Sequence, residues 1–296
     1  MPDSSQPLAA MYRPPEEILA HPRFPAARAA FVEAVLALYE GNAFLNRLLL
    51  EAVRQITFNM IVQLYCRYDE ADRSTWPTMR LLKQQMVLFG LSSPRRIEDL
   101  VAKLVRFKLL QQRPSQHDGR VRILTPTTAM MSLDLDWLGA LYRPLQVMFP
   151  DPGYPEPVKR DPAFQRVQRV VALGFSERGA DILASNPGML LFHTRDAGVT
   201  ILVKLIQMTL AAGKSTVELS YSDIGTRFGV SRTHVRKLLE DAERADLMRL
   251  SGKGERLVEL KPAMLGAFDR FVAESMSGHD LLYGITLSRM TGAAGA

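Results

Sequence analysis

Apolar residues along the chain fall mostly at helical spacing, and the elements they predict occur in the same order twice. In the first half, Ala52 to Arg67 has the spacing of a long buried helix. Met79 to Phe89 predicts a second helix, stopped by Gly90, a residue favoured just past helix ends. Ser92-Ser93-Pro94 then joins an N-cap to a proline at the first helical position, and a third helix is predicted to about Lys108. Its residues Ile97, Leu100, Val101 and Leu104 stand at i, i+3, i+4 and i+7 and make one buried stripe. At about 100° per residue, Arg95, Asp99, Ala102 and Arg106 face the other way. After Gln111-Gln112-Arg113, the turn residues Asp118-Gly119 and the alternation of Val121, Arg122 and Ile123 predict a hairpin. In the second half, Tyr221 to Phe228 predicts a helix and Gly229-Val230 a turn. Ser231 caps a helix carrying Val235, Leu238, Leu239 and Ala242, and Leu250 to Leu260 forms a hairpin with its tip at Ser251 to Arg256.

The repetition extends to particular residues. His21-Pro22-Arg23-Phe24 matches Asp161-Pro162-Ala163-Phe164 at an offset of 140, and Met60 to Leu64 matches Ile201 to Leu205 at 141. Phe89-Gly90-Leu91-Ser92 matches Phe228-Gly229-Val230-Ser231 at 139, and Ile97, Leu100, Val101, Leu104 and Leu109 match Val235, Leu238, Leu239, Ala242 and Leu247 at 138. Ordered matches with drifting offsets are the pattern of diverged copies with small loop insertions. The expected fold is mainly α with small β-hairpin wings (α+β): two tandem winged helix-turn-helix units packed through flanking helices. The expected division is a flexible arm at 1–20, a first unit at 21–148, a proline-rich linker at 149–162, a second unit at 163–290 and a flexible tail at 291–296. Proline at the density of Pro150 to Pro157 favours extended chain, able to reach about 45 Å. The flanking helices are expected near 24–67, 128–148, 163–210 and 262–290.

Phe107-Lys108-Leu109-Leu110, then Arg113-Pro114, Asp118-Gly119-Arg120 and Leu124-Thr125-Pro126, resembles the recognition-helix end and wing of MarR-type transcription regulators. The family's glycine before the strand is replaced by Lys108 and by Asp246, and the second copy closes with Leu260-Lys261-Pro262 and lacks the wing aspartate. The resemblance covers about 50–130 well and 195–275 more loosely. A MarR-type protomer has about this half-length and works as a dimer, so the resemblance implies a fused, single-chain pseudodimer. It also implies repression as the sign of control, and a pocket between dimer helices and DNA-binding lobes for a small apolar or aromatic effector.

Charge adds to the picture. The whole chain carries +6, but Met79 to Thr125 holds ten Lys or Arg against three Asp or Glu, a net of +7. Tyr221 to Lys261 holds nine against seven, a net of +2. A recognition helix puts its N-terminal residues at base edges, where arginine can donate two hydrogen bonds to guanine. The DNA-contact candidates on the helix starts are Ser93, Arg95 and Arg96, and Ser231, Arg232, Thr233, His234, Arg236 and Lys237. On the wings they are His117, Arg120 and Arg122, and Lys253 and Arg256, where basic side chains suit the negative minor groove. The competing explanation for these cations is a solvated helix face with ion pairs such as Arg95–Asp99.

Other chemistry finds little support. A composition of 47% hydrophobic and 23% charged residues excludes disorder as the main state, and no apolar run is long enough to span a membrane. Cys66 is the single cysteine, which fits a reducing cytoplasm and a buried helix thiol; an oxidant sensor beside Arg67 is the alternative. The five histidines show no metal-ligand spacing, and neither a metal nor a cofactor is expected. Ala212-Gly213-Lys214-Ser215-Thr216 imitates the end of a phosphate-binding loop, but Met208 stands where that loop needs glycine, so a turn between helices is expected. No catalytic motif is present, and the chain is read as a non-enzyme. Fourteen methionines with Trp76 and Trp137 are candidates to line an adaptable apolar pocket. The function expected is a cytoplasmic, sequence-specific regulator binding double-stranded DNA at an imperfect palindrome through two non-identical recognition helices. The alternatives are a plasmid-type replication initiator with tandem winged helices and a non-catalytic protein-interaction scaffold.

Overall fold

The structure, a computed structural model, describes residues 12–39, 48–49, 52–90, 93–254 and 256–294. The described chain is mainly helical with two small antiparallel sheets. The first half runs α1 (Pro15–Ala20), α2 (Phe24–Tyr39), α3 (Ala52–Cys66), α4 (Met79–Met86), α5 (Pro94–Arg106), β1 (Leu110–Pro114), β2 (Arg122–Pro126) and α6 (Thr128–Met148). After a single turn, α7 (Pro155–Val158), come α8 (Pro162–Leu173), α9 (Ser176–Ala184), α10 (Pro187–His193) and α11 (Gly198–Ala212). The chain ends with β3 (Thr216–Glu218), α12 (Tyr221–Phe228), α13 (Arg232–Arg244), β4 (Met248–Ser251), β5 (Leu257–Leu260) and α14 (Pro262–Ala294).

Local chemistry explains the element ends. Ser93 Oγ accepts the Arg96 N–H at 3.4 Å and Ser231 Oγ accepts the His234 N–H at 3.1 Å, so both helices start on a serine cap, each worth about 1 kcal/mol. The predicted stripes of α5 and α13 are buried, while Arg95, Asp99, Ala102 and Arg106 are exposed. Gly90 and Gly229 both take positive φ, 61° and 74°, shortly before these helices. Lys108 and Asp246 stand just after them with φ of 59° and 61°. The left-handed backbone that glycine supplies without cost is therefore kept at both positions by other residues. Matching hydrogen bonds follow: Leu109 N–H to the Leu104 carbonyl at 2.9 Å, and Leu247 N–H to the Ala242 carbonyl at 3.0 Å.

Helices equivalent by sequence offset exchange partners between the halves. The first long helix of the first half, α2, packs on α11, and its counterpart α8 packs on α3. A buried ion pair crosses the same boundary: Arg169 of α8 grips Asp134 of α6 at 2.7 and 2.9 Å, with Gln165 donating to the same carboxylate at 2.8 Å. One apolar cluster gathers α3 to β2 with Met130, and the other gathers α2, the end of α6, and α10 to α14. The cores therefore do not divide at residue 149.

Several expectations change. Segment 149–162 is not an extended spacer: Tyr154 is buried, its N–H bonds Gln146 Oε1 at 2.7 Å, and α7 packs on α6. The arm is docked where it is described, with Ile18 fully buried and Arg13 bonded to Asp280; residues 1–11 lie outside the described residues. The tail continues as helix to Ala294. The stretch 163–210 is four helices, because Gly174, Pro187 and the corner before Gly198 interrupt it. Residues 212–216 join a helix to the unpredicted strand β3, which pairs with β5.

Candidate nucleic-acid interface

Helices α5 and α13 each begin shortly after a left-handed glycine, present an exposed basic start and lead into a hairpin. Arg95, Arg96, Arg120 and Arg122 are exposed in the first unit, and Arg232, Thr233, Arg236, Lys237, Lys253 and Arg256 in the second. Arg95, Arg120, Arg122, Arg232, Lys237, Lys253 and Arg256 have no charged partner among the described residues. The Arg95–Asp99 pair that would have explained that arginine is not formed, whereas Arg236 does pair with Glu240 at 3.3 Å.

Four candidates have duties within the protein. The acceptor oxygens of Ser93 and Ser231 serve as caps. His234 is half-buried, and its Nε2 meets the Asp196 carbonyl at 2.8 Å. His117 Nδ1 lies 3.1 Å from Glu70 Oε1, and the same oxygen accepts from Ser115 Oγ at 2.8 Å and Gln116 N–H at 2.9 Å. These bonds, led by the Ser115 hydroxyl, hold the Glu70 carboxyl below the usual carboxylate range. Arg73 pairs with Asp118 at 2.7 Å, so the loop of the β1–β2 hairpin is moored at two points. No local signal in the sequence marks Glu70 or Arg73, because each acts on residues about 45 positions away.

Three further acidic residues of the second unit are also occupied. Asp241 holds Arg195 at 2.9 Å and also Arg244, Asp246 pairs with Lys261, and Glu243 Oε1 accepts the Leu250 N–H at 2.8 Å. Among the named DNA-contact candidates, three cations of the first unit and four of the second have no charged partner among the described residues, so the candidate positions do not mirror the difference in net charge.

Between α2, α6 and α14 on one side and α3, α9, α10 and α11 on the other lies an apolar cleft of about 280 Å³. Phe31, Phe89, Trp137, Ile182 and Phe271 line it, with His193 at its wall. Burial pushes the His193 ring down to about 4, so it is neutral, and its Nε2 has no hydrogen-bond partner among the described residues. The methionine-lined pocket is corrected here, because no methionine and not Trp76 lines this cleft among the described residues. Burial pushes the Cys66 thiol up to about 11, opposite to the shift a reactive thiolate needs.

Among the described residues, no helix is long and apolar enough to cross a membrane, and no group of three His, Cys, Asp or Glu could hold a metal ion. Comparison with family models, curated proteins and solved structures found no match.

Proposed function

We propose that the chain is a sequence-specific, double-stranded DNA-binding transcription regulator, built as two winged helix-turn-helix units joined into one pseudodimer. The observation that carries this reading is the matched pair of capped helices. Each follows a left-handed glycine, starts with an exposed arginine that has no charged partner among the described residues (Arg95 and Arg232), and feeds a hairpin that carries more such cations. Helix starts of this kind fit a major groove, and basic hairpins fit the adjoining backbone. The exchange of α2 and α8 between the halves supports the pseudodimer, since it repeats within one chain the interlocking of two protomers. Two reading helices of different sequence favour an imperfect palindrome. Repression is the sign of control we assign, and the apolar cleft is the place we assign to a small apolar or aromatic effector.

The test is to mix the purified protein with fragmented genomic DNA of its source at near-physiological salt and to sequence what stays bound. Phosphate-only binding fades steeply with salt, so retained peaks report base reading. A few promoter peaks with an asymmetric two-part motif support the regulator. A tandem array at an origin replaces it with a replication initiator. No enrichment refutes DNA reading by the chain alone and favours a protein-interaction scaffold.

A further inference from the structure

The corner between α10 and α11 touches both units. Its residue Asp196 accepts the His234 ring nitrogen on its backbone carbonyl at 2.8 Å, at the start of α13. Its carboxylate faces Arg54 of α3 at 3.8 Å. Arg54 lines a small cleft together with Arg96, Asp99 and Lys103 of α5. The neighbouring Arg195 holds Asp241 at 2.9 Å, two helical turns further along α13 than His234. One short segment thus grips the second helix at two points and reaches the first unit beside its own reading helix.

The corner is also stiff. Ala197 is fully buried and held at a φ of 55°. A Cβ on Gly198 would lie 2.1 Å from the Phe192 carbonyl oxygen, so this position has no room for a side chain. Gly198 N–H bonds the Arg195 carbonyl at 3.0 Å, and Thr200 Oγ bonds the Ala197 carbonyl at 3.0 Å. A stiff link between two reading heads fixes their separation, and half-sites on DNA are matched by their separation as well as by sequence.

We infer that Asp196 is a positioning residue that ties the start of α13 to the first unit, so that the two helices read their half-sites at one spacing. This rests on the DNA-reading function proposed above. The Arg54–Asp196 pair is partly exposed, so its loss alters two-site binding by about two- to fivefold. It leaves each helix able to read its own half-site.

The experiment selects DNA from a random duplex library with four proteins of matched thermal stability: the wild type, Asp196→Ala, Arg54→Ala, and the charge swap Arg54→Asp with Asp196→Arg. The wild type should enrich a two-part motif with one dominant spacing. Each single variant should enrich the same half-sites over a wider range of spacings and bind the wild-type site about two- to fivefold more weakly. Binding to duplexes holding one half-site should not change, and the charge swap should restore the single spacing. Single variants that keep the wild-type spacing overturn the inference. So does a parallel loss on half-sites and whole sites, which marks a general structural role. If the wild type enriches no two-part motif, the DNA-reading function fails first and the coupling falls with it.

Discussion

Replacing Arg232 and Lys253 by alanine should weaken DNA binding as much as replacing Arg95 and Arg120, although the surrounding segments carry net charges of +2 and +7. Each pair takes one cation from a helix start and one from a wing. On the proposed function, the cations at the contact positions set the affinity and the formal charge of the segment does not. In the second unit Glu240 holds Arg236, Asp241 holds Arg195 and Arg244, and Asp246 holds Lys261. Those acids are neutralised locally, and beyond about 8 Å physiological salt screens what is left. A phosphate contact contributes a salt slope of about 0.9, so between about 1 M and 0.15 M salt it is worth roughly fivefold, and two contacts roughly 30-fold. A base contact instead costs roughly five- to 150-fold on removal and leaves the slope alone. The assay is fluorescence anisotropy on the selected operator over a salt series, with thermal melts to show that the variants fold. A loss under about threefold for the second pair beside more than about tenfold for the first would refute the argument. Net charge would then govern binding, and α13 would not be a reading helix.

Other outcomes follow from particular contacts. Lys108→Gly removes a left-handed lysine and should stabilise the fold by roughly 0.5–1 kcal/mol in urea unfolding; a lower midpoint would show that the strain is absent. Arg169→Ala strands the buried Asp134 carboxylate and should cost about 3–5 kcal/mol by the same method, and a loss below about 1 kcal/mol would contradict it. His193 and His279 are both held near about 4 by burial. The unfolded chain binds their protons first, at its ordinary value near about 6.5, so stability should fall as pH drops from there towards about 4. His193→Leu should flatten that fall, and an unchanged pH profile would speak against a buried neutral ring. Phenolic or lipophilic compounds should raise the melting temperature by filling the apolar cleft, and Val199→Trp should abolish the rise; no shift across such a library would count against an effector there.

Local structure was legible because it is written in local chemistry. The stripe of Ile97, Leu100, Val101 and Leu104, the capping serines and the stop at Gly90 each act within a turn or two of chain. Periodicity and capping therefore placed the α5 and α13 helices and both hairpins. Reading basic residues after a turn as DNA contacts relied on the same local signals. It picked out side chains that are exposed, such as Arg95 and Lys237, but could not see that the His117 and His234 rings bond Glu70 and the Asp196 carbonyl. Strand β3 was missed because three residues carry almost no periodicity, and its partner lies about 40 residues away.

The sequence by itself determined the helical character, the two serine-capped helices with their following hairpins and the basic helix starts, since each depends on residue type and spacing alone. Only the tertiary structure decided how those units are joined. Proline density at 149–162 says that helix is disfavoured there, yet burial of Tyr154 and the bond from Gln146 pack the segment down. The exchange of α2 and α8, the Asp134–Arg169 pair and the Asp196 corner all link residues far apart in the chain. Such contacts form when whole apolar faces find each other, and no short window of sequence records which faces meet.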